Sequence, residues 1–399
     1  MTASVDTKFD VGGVLLDRPF KVRRLGHFGF NVNDLEAHRH FYGDLLGFKT
    51  SDVMTMDDGA ARGIFMRYGG DHHAFVLFKR PPAGQPGPGS SSNPEVTLNQ
   101  ITWQVGSLAE VGNAAKWFTE NDIQILRVGR DMPGSNWHAY LPDPDGHTNE
   151  LYYGIEQVGW DGLSKPRSMY YRGFREAPPL PQINELQEVN DAIAEGIDVH
   201  SGYRQGDEPP AVYEVDGIML ARPFKITKIG PVSLFVDDLD AAERFYRERM
   251  GFVKTEETSW QGHRGVFMRA NTEHHSLALY PKTLRADIGF SPHSSCMAFG
   301  VQLANYRQLR DAVAFLRENG VTVRLDVPSE LTPGIDYVAH AFDPDGHCIQ
   351  LYYYMEQVGW DGQPRPASMR RQVEPGEWPA ALEPMSDTFQ GEVFTGPWG

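Results

Sequence analysis

Cysteine is nearly missing: Cys296 and Cys348 are the only two in 399 residues, too few for a disulfide framework. Also missing is any apolar run near the roughly 20 residues needed to cross a bilayer. The stretch Met1 to Asp10 lacks the apolar core of a secretion signal, so a cytoplasmic location is the expectation. Basic residues are in short supply, 37 Lys and Arg against 53 Asp and Glu, and the net charge of −16 repels phosphate backbones and anionic lipids. Nucleic acid and membrane are therefore not expected as partners. Neither a glycine-rich phosphate loop nor a nucleophile elbow occurs, which leaves nucleotide and serine-hydrolase chemistry without support and calls for no organic cofactor. Aromatic residues are plentiful: 22 Phe, 16 Tyr and 8 Trp can bury more apolar surface than a disordered chain carries. At roughly 150 residues per domain, the length allows two or three domains.

Comparing the chain with itself shows how that length is used. RPFKVRRLG at 18–26 returns as RPFKITKIG at 222–230, and FYGDLLGF at 41–48 returns as FYRERMGF at 245–252. RGIFMR and DHH recur as RGVFMR and EHH, and DPDGH and EQVGWDG both recur 200 residues on. Matching blocks in one order mean a duplication. Each half also repeats within itself, since Leu25–Val32 resembles Leu98–Val105 at an offset of 73. Both segments alternate as half-buried strands do. A helical stretch follows each, over 34–46 and 108–118, the first capped by Asn33 or Asp34 and ended by Gly47. Further short strands are expected at Gly63–Arg67, Ala74–Phe78, Trp137–Leu141 and Asn149–Tyr153. The unit is strand, helix and three strands, present four times, and paired units are needed to close a core. The expected division is a first paired domain over 18–162, a linker over 163–217 with a helix at 184–195, a second domain over 218–365, and a tail over 366–399.

With LGHFGFNVNDLEAHRHFYGDLLGF, DHHAFVLF and DPDGHTNELYYG in this order, the chain resembles the vicinal oxygen chelate superfamily. Within it the resemblance is nearest to the two-domain type I extradiol ring-cleavage dioxygenases, over about 20–160 and 220–360. The resemblance implies an α+β fold of four βαβββ modules paired into two open barrel-like domains, each able to hold one divalent metal on its concave face. Carried over residue by residue, the metal ligands are His27, Gln100 and Glu150. Pro231, Cys296 and Gln350 stand at the corresponding places of the second half, which is expected to be metal-free. The family places histidine where Gln100 stands, although glyoxalase relatives use glutamine as a ligand. The resemblance further implies His73 as the acid–base group and Tyr140 as the donor to substrate or dioxygen. Asp131 stands where several relatives have another histidine, and His138, two residues before Tyr140, would face the same side, compensate for it and join the catalytic residues.

The implied activity is ring cleavage of a dihydroxylated, catechol-like aromatic with O2 in aromatic compound catabolism. Fe(II) is the metal expected first, with Mn(II) or another divalent ion as the alternative, and relatives imply a homo-oligomer. Two other readings stay open: a non-redox isomerase, lyase or hydrolase that uses the metal as a Lewis acid, and a metal-free protein that binds small molecules. Strand alternation places His72 and His73 on opposite faces. His147 and His347 read as turn residues, Trp160 and Trp360 as packing at strand ends, and Cys296 as a buried free thiol. Gly29, two residues beyond His27, is expected to leave room for a ring.

Overall fold

The computed structural model describes residues 8–81, 93–170, 179–358, 361–371, 373–374 and 377–382. After a hairpin of β1 (Phe9–Val11) and β2 (Val14–Leu16), the first half runs β3 (Arg24–Val32), α1 (Leu35–Arg39), β4 (Lys49–Thr55), β5 (Ala61–Arg67) and β6 (Phe75–Lys79). Its second unit runs β7 (Leu98–Gln104), α2 (Leu108–Glu120), β8 (Arg127–Gly129), β9 (Trp137–Pro142) and β10 (Thr148–Tyr153). Asp34 caps α1 by accepting from the amides of Glu36 and Ala37. The helix continues as a π turn over His40–Leu45, and Gly47 with φ of 100° ends it.

Between the halves come α3 (Arg167–Tyr170), α4 (Glu185–Ala194) and a second hairpin of β11 (Tyr213–Val215) and β12 (Ile218–Leu220). The second half repeats the plan: β13 (Ile226–Val236), α5 (Leu239–Arg244), β14 (Val253–Trp260), β15 (His263–Arg269), β16 (Leu277–Pro281) and a short α6 (Leu284–Asp287). It ends with β17 (Cys296–Leu303), α7 (Tyr306–Glu318), β18 (Val323–Arg324), β19 (Val338–Phe342) and β20 (Cys348–Tyr352).

Each half is one eight-stranded mixed sheet, ordered β4-β5-β6-β3-β7-β10-β9-β8 and β14-β15-β16-β13-β17-β20-β19-β18. The first strands of the two paired units, β3 and β7, lie antiparallel at the centre, and each is flanked by the last strand of its own unit in parallel. Edges remain at β4 and β8, so the fold is α+β with open sheets and no closed barrel.

The halves meet through reciprocal contacts. Tyr42 donates to Asp343 Oδ2 at 3.0 Å, and Tyr246 donates to Asp143 Oδ2 at 2.9 Å. His347 Nε2 lies 3.0 Å from Thr97 Oγ1, and His147 Nε2 lies 2.8 Å from Ser295 Oγ. Both histidines are indeed in turns, and both bind across the seam. Phe28 and Phe299 stack at 4.5 Å in the apolar centre between the sheets.

Helix α4 sits between Asn184, which accepts from the amide of Gln187, and Glu195. Glu188 fixes it to the first half through Arg130 at 2.8 Å and Lys165 at 3.1 Å. Burial alone would raise the Glu188 carboxyl, but Arg130 and then Lys165 outweigh it and hold the group at about 2. A folded value below the unfolded one stabilises the docked helix in full above the ordinary glutamate range, and the contribution is lost as pH falls toward 2. Hydrogen-exchange protection of the α4 amides is therefore expected to drop between pH 5 and pH 3. In Glu188→Gln it should be low at both, and equal protection in the two proteins at pH 5 would show that the ion pairs do not hold the helix.

The described part of the tail packs on its own second half: Tyr306 donates to the carbonyl of Pro379, and Trp378 meets Tyr337 edge-on. Trp160 is 76% exposed rather than packed at a strand end. Trp360 lies outside the described residues.

Candidate metal centre

Sheet register sets the arrangement. His27 on β3 stands opposite Thr102 on β7, Thr102 opposite Glu150 on β10, and Glu150 opposite Tyr140 on β9. A single row across four strands thus carries an imidazole, a hydroxyl, a carboxylate and a phenol. His27 and Glu150, 123 residues apart in sequence, approach to 3.1 Å between Nε2 and Oε2, and both are fully buried. Glu150 also accepts from Thr102 Oγ1 at 2.7 Å and from Asn136 Nδ2 at 2.8 Å. Burial pushes its carboxyl up, but His27, then His138 and Thr102, prevail and hold it at about 2. The centre therefore keeps one fixed negative charge.

The distance fits a divalent ion. Two donors about 2.1 Å from one ion and at right angles to each other lie roughly 3.0 Å apart. His27 Nδ1 is buried and makes no hydrogen bond, so the ring has only the Glu150 side to engage. Gly26 is needed beside it, because a Cβ there would lie 2.1 Å from the Tyr152 ring, which stands 5.1 Å from the His27 ring. Gln100, two residues before Thr102 on β7, shares its face. Its Oε1 lies 3.5 Å from the Tyr140 hydroxyl, so the amide borders the row rather than standing apart from it.

The other candidates surround this row. The His73 ring lies 4.3 Å from that of His27 and 5.1 Å from Phe65. Burial, with His27 and His72 adding to it, lowers its pKa far below the usual imidazole range. His73 is therefore a neutral imidazole. The Tyr140 phenol is pushed up by burial and by Glu150, so it keeps its proton and can donate. Arg127 lies over the Tyr140 ring at 4.9 Å and reaches Asp131 at 3.3 Å. His138 brings Nδ1 to 3.8 Å from Glu150 Oε1 and Nε2 to 3.3 Å from Asp131 Oδ1.

Three local expectations change. His72 and His73 do not point apart: they lie just before β6 in irregular backbone, where strand alternation does not hold, and their Nδ1 atoms are 3.1 Å apart. Gly134, with φ of 94°, allows that arrangement, because a Cβ there would press on both rings. Gly29 does not open a space, since a Cβ at that position would meet Val76 Cγ2 at 2.3 Å. In the second half, Ser233 pairs with Ala298 as Gly29 pairs with Gln100, so Ala298 and not Cys296 occupies the place of Gln100. Cys296 is a buried free thiol, as expected. Thr102 and Asn136 were not among the expected residues. Thr102 could have been found from its two-residue spacing to Gln100, whereas Asn136 sits in a loop that carries no periodic signal.

The second half lacks the row. Pro231, Ala298, Gly300 and Gln350 stand where His27, Gln100, Thr102 and Glu150 stand in the first, and Val338 and His340 replace His138 and Tyr140. The corresponding face is filled by Phe235, Phe267, Tyr280, Phe290 and Met297. Only the histidine pair is kept, as His274 and His275 with Nδ1 atoms 2.9 Å apart.

A cavity of about 470 Å³ between α2 and α4 is lined by Trp137 and Tyr153. Those side chains leave the sheet on the face opposite His138 and Tyr152, so the cavity is not the pocket of this centre.

The model of the Glyoxalase/Bleomycin resistance protein/Dioxygenase superfamily matches residues 24–151 and 228–351. A 3-methylcatechol 2,3-dioxygenase of Pseudomonas putida is 28% identical over 137 residues, 34% of this chain and 43% of that protein. A 1,2-dihydroxynaphthalene dioxygenase of Sphingobium xenophagum is 26% identical over 137 residues, covering 33% and 40%. The chain thus matches less than half the length of either relative. Among solved structures, a halotolerant catechol dioxygenase is similar with a TM-score of 0.54 at 17% identity, covering 86% of this chain and 91% of that one. The Mn(II)-bound glyoxalase of Novosphingobium aromaticivorans gives 0.54 at 14%, covering 94% and 98%. At such identities these two establish the fold alone.

Proposed function

We propose, for a chain that belongs to the Glyoxalase/Bleomycin resistance protein/Dioxygenase superfamily, an extradiol-type dioxygenase that opens a dihydroxylated aromatic ring with O2. The observation that carries the proposal is the buried row itself, with His27 Nε2 at 3.1 Å from Glu150 Oε2, His73 beside it and Tyr140 opposite. Relatives named as catechol-type dioxygenases support the same reading. His27 and Glu150, with Gln100 at the border, would hold Fe(II) or Mn(II). The metal would supply a site where a catecholate and dioxygen meet and exchange electrons.

The chain's own part is proton handling and orientation. Neutral His73 would accept a hydrogen bond from a catechol hydroxyl, and because burial lowers its basicity it would hold the released proton only with the charge of a bound catecholate beside it. Tyr140 keeps its proton and can donate a hydrogen bond to a substrate oxygen. Thr102 and Asn136 hold the Glu150 carboxylate by one oxygen each, which fixes the direction in which it faces. His138 borders the same carboxylate and is tied to Asp131, a positioning role.

The test is oxygen uptake by Fe(II)-loaded protein with a panel of catechols and hydroquinones, read beside ring-opened product. No uptake with any diol from fully loaded protein would reject the dioxygenase reading. One observation favours a second reading, a non-redox Lewis-acid enzyme. Gln100 gives an amide where iron-dependent ring cleavage uses a second imidazole. Gln100→His is expected to tighten Fe(II) binding about tenfold or more. A fall in affinity, measured by anaerobic titration, would favour the Lewis-acid reading.

A further inference from the structure

The seam between the halves holds a second cluster of metal-binding groups, well away from the row just described. His38 lies on α1 of the first half and is completely buried. Its Nδ1 is 2.6 Å from the carbonyl of Asp34, which can only accept, so Nδ1 carries a proton and Nε2 is the nitrogen that faces the seam. That Nε2 makes no hydrogen bond. It points at two carboxylates of the second half, 3.3 Å from Asp343 Oδ2 and 3.7 Å from Asp345 Oδ2. His347, also buried, repeats the pattern: Nε2 is 3.0 Å from Thr97 Oγ1, and Nδ1 is 2.9 Å from Asp343 Oδ2. Donor atoms of His38, Asp345 and His347 all lie within 4.8 Å of one another.

We propose that His38, Asp345 and His347, gathered around Asp343, form a divalent-cation site of the zinc class that pins the first half to the second. His38 has its rear nitrogen engaged by the Asp34 carbonyl and its front nitrogen turned inward, as metal-bound histidines do; His347 has Nε2 on Thr97 and would have to exchange its Nδ1 contact with Asp343 for the ion. Donors about 2.1 Å from a tetrahedral ion are roughly 3.4 Å apart, close to the separations around His38 Nε2.

The alternative is a proton on Nε2: burial opposes it, and Asp343 at 3.3 Å favours it and raises the His38 pKa, but 3.7 Å to Asp345 is too long for a hydrogen bond and leaves that carboxylate unengaged by the ring.

The molecule also contains its own comparison. At the reciprocal seam, Asp143, Asp145 and His147 form the same turn, and Tyr246 donates to Asp143 as Tyr42 does to Asp343. Yet the residue at the place of His38 is Ala242, fully buried. A turn of this kind therefore docks without an imidazole from the facing helix, and His38 is an addition to it. His38 and His347 are buried, and the half-buried Asp345 is already held across the seam by the Asn33 amide and side chain, so an ion here would serve to cross-link.

The test uses the full chain, stripped with chelator and titrated with Zn(II) alone, in wild type, Glu150→Ala, His38→Ala and the double variant. Glu150→Ala is expected to keep one tight zinc ion that raises its melting temperature, and His38→Ala in the same background is expected to lose both effects. Asp345→Asn, which keeps the shape of the turn, should weaken that ion roughly tenfold or more. Ala242 shows that alanine is tolerated at this position, so His38→Ala should fold. Equal zinc content in Glu150→Ala and the double variant would overturn the proposal, as would a folded Glu150→Ala that binds none. A zinc content that does not depend on His38, in a wild type that still opens catechols, would reject the seam site and leave the function proposed above intact. The reverse result would reject that function and leave the seam site intact.

Discussion

Glu150→Ala is expected to carry one metal ion fewer than wild type, to lose ring-opening activity, and to be less stable by about 3 kcal/mol or more. The carboxylate is the acceptor for Thr102 and Asn136 and the partner of His27, and none of these groups can turn to water. Removing it strands two donors and an imidazole in a dry interior. Glu150→Gln separates the two consequences. Glutamine can still accept from Thr102 or Asn136, and the second half already holds Gln350 at this register position. The Gln variant should therefore fold with a much smaller penalty and yet lose the metal as completely. Metal analysis together with urea unfolding reads both quantities. Full metal content in Glu150→Ala would remove this centre from consideration, and equal destabilisation in the two variants would show that the lost charge dominates over the lost acceptor.

The second large effect is expected in the aromatic stack between the halves. Phe299 stacks on Phe28 at 4.5 Å with the planes 8° apart and meets Phe75 at 5.5 Å, all three fully buried. Phe28 and Phe75 belong to the first half and Phe299 to the second, so this stack is the apolar joint between them. Phe299→Ala should cost about 3–5 kcal/mol, whereas Phe299→Leu, which keeps most of the volume, should cost less than about 1.5 kcal/mol. The urea midpoint measures this directly. An alanine variant as stable as the leucine one would mean that the halves do not depend on the stack.

How much of this was legible in the chain depends on range. Repeats, caps and strand alternation are local, so the four units, the Asp34 cap and the Gly47 terminus could be read directly. The pairing of His27 with Glu150 could not, since it rests on β7 lying between their strands, and it came from resemblance alone. Counting along the second half placed Cys296 opposite the first-half glutamine. The register shifts of β13 recur in β3 and cancel, but the offset between the halves falls from 202 at His73 and His275 to 198 at Gln100 and Ala298. The change lies in the irregular stretch before β17, which carries no periodic signal to fix the count. The histidine pair failed for a related reason: alternation was applied one turn of chain too early, before the strand begins. Nothing local marks His38 at all. Its partners lie some 300 residues away, and only the closing of the seam brings them together.

The reciprocal seam carries one more consequence. The tyrosine, histidine and Asp145/Asp345 contacts that cross it each have a twin running the other way, which is the signature of an isologous interface between two identical subunits. The two halves pack as the subunits of a homodimer would, joined in one polypeptide. In a dimer of identical subunits, a change at the position of His27 appears on both sides at once. Fusion breaks that obligation, so Pro231 can stand on one side while His27 remains on the other, and Ala242 on one side while His38 stands on the other. The two candidate cation sites of this molecule are both places where the fused twins have ceased to be alike.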